Sequence, residues 1–348
     1  MMLRIVVLVL IIVCADLAKG ESKVPCYFIF GDSLSDVGNN NDLRTLAKTN
    51  YPPYGVDFPG GIATGRFSNN RTIEDFITTF LGFNKSIAPY SAQINEDILR
   101  GVNFASGAAG ILSNSGSQLG DRVWMDKQIR NYLITTSKLV LKVRGHVSDY
   151  LNKCLYTVNI GSNDYINNYF MPENYPSKRL YTPEQFANLL IVRFRSQLQA
   201  LYNTGARKVA VFGLGLIGCT PAQIAMRNAT QCIDEINQAA NLFNEKLPSL
   251  IDDFNRLPMA KFTLISLTAM QALNPLPPGI ITTSTCCQLR SDFQCEPFTP
   301  PCANRNIYAF FDGYHPTDVV NGGVAESAYN TPNRMIANPM NINELSSS

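Results

Sequence analysis

Five short apolar runs, each stopped by a glycine or a polar turn and separated by segments of helical period, constrain this chain more than any other feature. They are VPCYFIF (24–30), GVNFA (101–105), CLYTVNI (154–160), RKVAVFG (207–213) and KFTLIS (261–266). Runs of this length, rich in β-branched and aromatic residues, read as strands buried on both faces. Between the first two, Ile73, Phe76, Ile77 and Phe80 fall at helical spacing before Gly82. Ile129, Tyr132, Leu133, Thr136, Val140 and Val143 mark one face of a second helix. Thr182-Pro183-Glu184-Gln185 is a capping box with proline in the first helical position, and it launches a helix that stops at Gly205. Residues 232–257 are helical by period, with a break predicted at Pro248. A last helix is expected after His315, with Pro316 in its first turn. Strand and helix in regular alternation predict an α/β fold, a parallel sheet covered by helices on both faces. No repeat or linker interrupts the pattern, so one domain is expected over residues 21–348.

The N-terminus reads as a secretory signal peptide. A positive start (MMLR) precedes the apolar run IVVLVLIIV, and Ala18 and Gly20 offer small residues for cleavage before Glu21. The run is too short to span a membrane, and no second apolar stretch of about 18 residues follows, so an exported protein without integral membrane association is expected. Nine cysteines, less Cys14 in the leader, leave eight, an even number that suits disulfides in an oxidising compartment. The late cluster CCQLRSDFQC…PPC lacks histidine and the paired spacing of a zinc site, so no metal is expected there. Asn70, Asn84 and Asn228 each open an N-x-S/T sequon, which makes them candidate glycosylation sites on the surface. The formal net charge is only +2, without a basic block, so the electrostatic signature of nucleic-acid binding is missing.

In open α/β sheets, ligands bind beyond the carboxyl ends of the strands. The first strand runs out into Gly31-Asp32-Ser33, the second into Ser106-Gly107, and the third into Gly161-Ser162-Asn163-Asp164. A hydroxyl, a flexible backbone amide and a carboxamide thus converge on one edge, the parts of a nucleophile and its oxyanion donors. A serine nucleophile needs a base, and the chain has two histidines. His146, in VRGHVSD, reads as a surface residue. His315 follows Asp312 by three positions, and such a turn can set a carboxylate against Nδ1–H while leaving Nε2 free as base. GLGLIG (213–218) matches a dinucleotide fingerprint, but Cys219-Thr220-Pro221 stands where the helix would have to begin, so no nicotinamide cofactor is expected. The chain contains no G-x-S-x-G, which argues against a nucleophile-elbow hydrolase.

Taken together, GDSLSDVGNN, GVNFASGAAGIL, NIGSNDYINNY, GLGLIGCTP and FDGYHPT resemble, in order and spacing, the plant GDSL esterase/lipase family of the SGNH hydrolases, over roughly Pro25 to Tyr329. The resemblance implies a three-layer α/β/α sandwich with a flavodoxin-like parallel sheet. It implies a serine esterase or lipase that hydrolyses carboxylic esters of lipid, polysaccharide or small-molecule type, without cofactor or metal. By position, Ser33 resembles the nucleophile, Asp312 and His315 the orienting acid and the base. The amides of Ser33 and Gly107 and the side chain of Asn163 resemble the oxyanion donors. The same residues would serve an acyltransferase, and a catalytically silent secreted binding glycoprotein is the other rival. The chain departs from the pattern where Phe311 replaces the usual tryptophan and Gln288 the usual glycine after Cys287. Residues 267–284 look shortened, and as a stretch that could line the acyl pocket they are where chain-length preference is expected to differ.

Overall fold

In a computed structural model of the chain, which describes residues 22–92 and 97–348, four of the five apolar runs are parallel strands. They are β1 (Tyr27–Gly31), β2 (Leu155–Asn159), β3 (Lys208–Phe212) and β4 (Lys261–Ile265), hydrogen-bonded side by side in that order. The expected leader and its cleavage site before Glu21 lie outside the described residues. β5 (Ile281–Thr285) and β6 (Tyr308–Phe310) form a separate pair, and β7 (Ala337–Asn338) closes the β4 edge antiparallel.

The remaining run, 101–105, differs from expectation. It lies along the free edge of β1, where Ile29 N–H donates to Val102 O at 3.1 Å, Phe104 N–H to Ile29 O at 2.7 Å and Ser106 N–H to Gly31 O at 3.1 Å. Yet it forms only isolated bridges, not a regular strand. The ladder breaks because Gly31 N–H, which faces this edge, donates to the Gln128 side chain at 3.0 Å instead. Counting the segment as an edge, the chain passes from β1 outward to it and then back across β1 to β2. That reversal is the topological switch point of a flavodoxin-like order, the place where doubly wound sheets bind ligands.

Alternation along the strands sorts the core into two layers. Phe28, Phe30, Tyr156, Val158, Val209 and Val211 face a cluster completed by α2 (Met125–Leu139), α3 (Pro183–Asn203), α4 (Asp234–Asn244) and α5 (Leu247–Asn255). Tyr27, Ile29, Leu155, Ala210 and Phe212 face the other side, against α1 (Ile73–Phe80), α6 (Asp318–Asn330) and a short C-terminal helix (Ile342–Ser347) through Ile342 and Leu345. The result is the three-layer α/β/α sandwich. Each fully buried large apolar side chain contributes about 1.5–3 kcal/mol.

Helix boundaries follow local chemistry. Thr72 and Thr182 each form a capping box, with Asp75 and Gln185 as reciprocal partners. The break at Pro248 is present: α4 ends at Asn244, and α5 restarts with proline in its first turn. The helix expected after His315 starts slightly later, at Asp318 with Thr317 as cap, so Pro316 precedes it, and it is not the last, since a short helix at Ile342–Ser347 follows. His146 is exposed, as its sequence context suggested. Asn84 and Asn228 are exposed, whereas Asn70 is half-buried.

All eight cysteines of the described residues are paired, as Cys26–Cys154, Cys219–Cys232, Cys286–Cys302 and Cys287–Cys295. Cys26–Cys154 ties together the entries to β1 and β2, across a separation of 128 residues. A crosslink between residues so distant in sequence removes much conformational freedom from the unfolded chain. Replacing both Cys26 and Cys154 with serine should therefore lower unfolding free energy by about 2–5 kcal/mol, read by urea denaturation of the oxidised proteins. The same exchange at Cys219 and Cys232, which closes a separation of 13 residues, should have the smaller effect.

Candidate active site

The sheet delivers Ser33 through a turn that only glycine can begin. A side chain at Gly31 would put its Cβ 2.7 Å from Asn159 O on the neighbouring strand. Gln128, buried on α2, clamps this point from the other side, accepting from Gly31 N–H at 3.0 Å and donating to Gly31 O at 2.8 Å. The chain then turns sharply: Asp32 Oδ1 accepts from Leu34 N–H at 3.1 Å, and Asp36 N–H returns to Asp32 O at 3.0 Å. Ser33 stands half-buried at the tip.

His315 arrives from the loop between β6 and α6, with its Nε2 2.8 Å from Ser33 Oγ. Its Nδ1 lies 2.9 and 2.8 Å from the two Asp312 oxygens. With Nδ1–H donating to that carboxylate, Nε2 is left as the acceptor facing the serine hydroxyl. The aspartate is itself oriented, because the N–H groups of Tyr314 and His315 both donate to its Oδ1 at 2.8 Å. Burial works to raise the Asp312 pKa, but the neighbouring His315 and the hydrogen bonds from His315 and Tyr54 hold it below the ordinary carboxylate value. The Phe67 ring covers the imidazole, with centroids 4.8 Å apart.

Asn163 follows β2 after Gly161, whose φ of 126° is open to glycine but strained for other residues. Its Nδ2 donates to Ala109 O at 3.0 Å, and its Oδ1 accepts from Asn167 at 2.6 Å. Next to it, buried Asp164 gathers the N–H groups of Ile111 and Leu112 and the Ser115 hydroxyl at 2.8, 2.9 and 2.6 Å. One carboxylate thus clamps the loop that Asn163 touches. Gly110 lies so close that a Cβ there would stand 2.8 Å from the Asp164 carboxylate.

Gly107 departs from expectation. Its N–H donates to Asp36 Oδ2 at 2.9 Å rather than toward Ser33, and Ala108, not Gly107, lines the cavity. The physical reason is the buried Asp36 carboxylate. Shut away from bulk solvent, it collects the N–H groups of Gly38, Asn39 and Gly107. What does require glycine at 107 is space, since a Cβ would meet the Phe67 ring at 2.6 Å and Asn40 Nδ2 at 2.7 Å.

The structure gives the Gly/Asn stretch after Asp36 a fastening role. Asn39 Nδ2 donates to Asn103 O at 2.9 Å and Ala105 O at 2.7 Å. Asn40 Nδ2 donates to Ala47 O and Gly107 O, while its Oδ1 accepts from Ser106 Oγ at 2.5 Å. These amides fasten the serine turn to the 103–107 segment. Tyr54, Gln128 and Asp36 are further site residues that sequence reasoning missed. No local signal ties them to the site, because the partners that do so, Asp312 for Tyr54, Gly31 for Gln128 and Gly107 for Asp36, lie far along the chain.

A cavity of about 110 Å³ opens over Ser33 and His315. Ala47, Phe67, Ala108, Leu119, Ile166 and Ile217 form its apolar wall, while Asn167, Thr220, Asp292, Gln294 and Tyr314 supply polar groups. Residues 267–284, a stretch that could have lined the acyl pocket, do not line this cavity; they include a helix at Leu267–Leu273 and most of β5.

The site thus combines a serine, an imidazole and a carboxylate in hydrogen-bonded series at the switch point of a parallel sheet. Comparison with known proteins agrees. The profile of the GDSL-like lipase/acylhydrolase family matches residues 27–328. The chain belongs to this family. Two GDSL esterase/lipases of Arabidopsis thaliana are each 46% identical to it, over 94% of this chain and 93% of their own length. A third from the same plant is 42% identical over 100% of this chain and 99% of its own. By class, this GDSL-family chain is a carboxylic ester hydrolase.

Burial pushes Asp32, next to the serine, up to about 7. An unfolded aspartate releases its proton near 4. The folded chain therefore holds a proton that the unfolded chain has lost. Stability from this group is full below about 4 and is lost as pH rises through about 7. Asp32→Asn lacks this dependence, so the stability difference should move in favour of the variant between pH ~4 and pH ~8. Urea denaturation of both proteins across that range checks it, and a pH-independent difference would contradict it.

Proposed function

We propose that the protein is a secreted serine esterase that hydrolyses carboxylic esters through an acyl-enzyme on Ser33. The observation that carries this reading is the 2.8 Å approach of His315 Nε2 to Ser33 Oγ, with Nδ1 seated on Asp312. His315 takes the hydroxyl proton as Ser33 Oγ attacks the ester carbonyl. The resulting oxyanion is held by Ser33 N–H and by the Asn163 Nδ2 hydrogen not donated to Ala109. The C–O bond to the alcohol breaks, and the leaving oxygen takes the proton from His315. Water then attacks the acyl carbonyl and gives a proton to His315. Ser33 Oγ leaves and recovers that proton, releasing the acid.

Two further features support export. The four disulfides suit an oxidising compartment, and residues 1–20 carry the charge and apolar pattern of a leader. Among the described residues, no helix is long and apolar enough to cross a membrane. Exposed Asn84 and Asn228 are the better placed glycan acceptors, and half-buried Asn70 the poorer. After expression in a secretory host, N-terminal sequencing should find Glu21 first, and glycosidase treatment should remove mass at Asn84 and Asn228.

Ser33→Ala should abolish hydrolysis of a short-chain nitrophenyl ester and labelling by a fluorophosphonate, and full activity in that variant would overturn the mechanism. Asn163→Ala should lower turnover by about 10²–10³, the usual loss for one oxyanion donor. The rate should fall at acid pH, where a protonated imidazole no longer accepts the serine proton. Release of free acid in the presence of a polyol separates hydrolysis from acyl transfer, which would yield the polyol ester instead.

A further inference from the structure

We propose that Tyr54 is a positioning residue of this site, acting on Ser33 through Asp312 and His315. The inference rests on the serine-esterase reading above. Tyr54 lies 258 residues before Asp312 in sequence and is 1% exposed. Its hydroxyl meets Asp312 Oδ2 at 2.5 Å and Cys295 N–H at 3.0 Å. The backbone N–H can only donate, so the tyrosine oxygen accepts there and its own proton goes to the carboxylate. The direction of the relay is thereby settled, from Cys295 N–H to Tyr54 to Asp312.

The carboxylate has need of this donor. Oδ1 is anchored by two backbone N–H groups, whereas Oδ2 meets the Tyr54 hydroxyl and the imidazole among the described residues. Partners on both oxygens prevent rotation of the carboxylate plane, and that plane aims the imidazole at Ser33. The ring of Tyr54 is held in turn by Phe311 and Tyr51, edge-on with centroids 5.6 and 5.4 Å away. Cys295 is held by its bridge to Cys287. Burial beside Asp312 raises the phenol pKa well above its ordinary value, so the hydroxyl stays a donor and takes no part as acid or base.

A hydrogen bond to Asp312 also withdraws some of the charge that would otherwise stabilise a protonated His315. Without it, the imidazolium is held more tightly and the acid limb of the pH–rate profile moves to higher pH. A stronger donor moves it the other way. The test compares wild type, Tyr54→Phe and a protein carrying a ring-fluorinated tyrosine at position 54, a stronger acid of nearly the same size. Expected for Tyr54→Phe is a roughly tenfold lower kcat with little change in KM, the scale of one lost charge-assisted hydrogen bond, together with an acid limb displaced upward. The fluorinated protein keeps the packing and the hydrogen bond, and its limb should move downward. In an Asp312→Asn background the effect of Tyr54→Phe should largely vanish, because the group it acts through has changed.

Acid limbs that coincide in all three proteins, or equal losses with and without Asp312, would overturn the positioning role and leave Tyr54 as packing alone. Should Tyr54→Phe fail to fold, the fluorinated protein decides by itself, since an unmoved limb there overturns the role. A wild type without Ser33-dependent hydrolysis overturns the esterase reading and this inference with it. An active wild type with unmoved limbs overturns only the role of Tyr54.

Discussion

The pairing of β1 with β2 is the constraint on which the rest depends. Their register sets Gly31 opposite Asn159, so the turn carrying Ser33 and the turn carrying Asn163 leave the sheet side by side. The approach is close enough that Gly31 has no room for a side chain. Gln128 then takes the Gly31 N–H that a further strand would have used, and the sheet edge stops where the site begins. The broken edge at 101–105 and the position of Ser33 therefore have one cause.

Around this point the protein spends buried charge on loop geometry. Burial pushes Asp32 and Glu74 up to about 7, and Asp36 and Asp164 up to about 6. Each of these groups accepts hydrogen bonds from a turn or from a hydroxyl next to the serine. Asp36 and Asp164 collect three donors apiece and set the path of the 107–115 loop. A carboxylate without a cation is an expensive clamp in a dry interior, yet it fixes several N–H groups at once. Asp75 shows the contrast: against the effect of burial, the Arg66 guanidinium at 2.7 Å holds it below its ordinary value.

Much of this was legible from residues a few positions apart. Four of five strands, the capping boxes at Thr72 and Thr182 and the break at Pro248 follow from period and local hydrogen bonding. Ser33, Asp312 and His315 could be singled out because a strand end, a three-residue spacing and a shortage of histidines are all local or compositional facts. Gly107 shows the limit of such reasoning. Its position just after the 101–105 run is plain in the sequence, but the direction of its N–H depends on Asp36, a group 71 positions away. The 267–284 segment shows the same limit, because which residues line a cavity depends on packing between distant elements.

The sequence by itself determined the alternation of elements, their boundaries and the chemical inventory of the site, since periodicity and capping act over a few residues and side-chain chemistry travels with the residue. The tertiary structure alone decided the disulfide partners, the placement of Tyr54 on Asp312 and the engagement of Gly107 N–H by Asp36. Those outcomes turn on which buried polar group reaches which partner, and burial is a property of the packed chain rather than of any stretch of it.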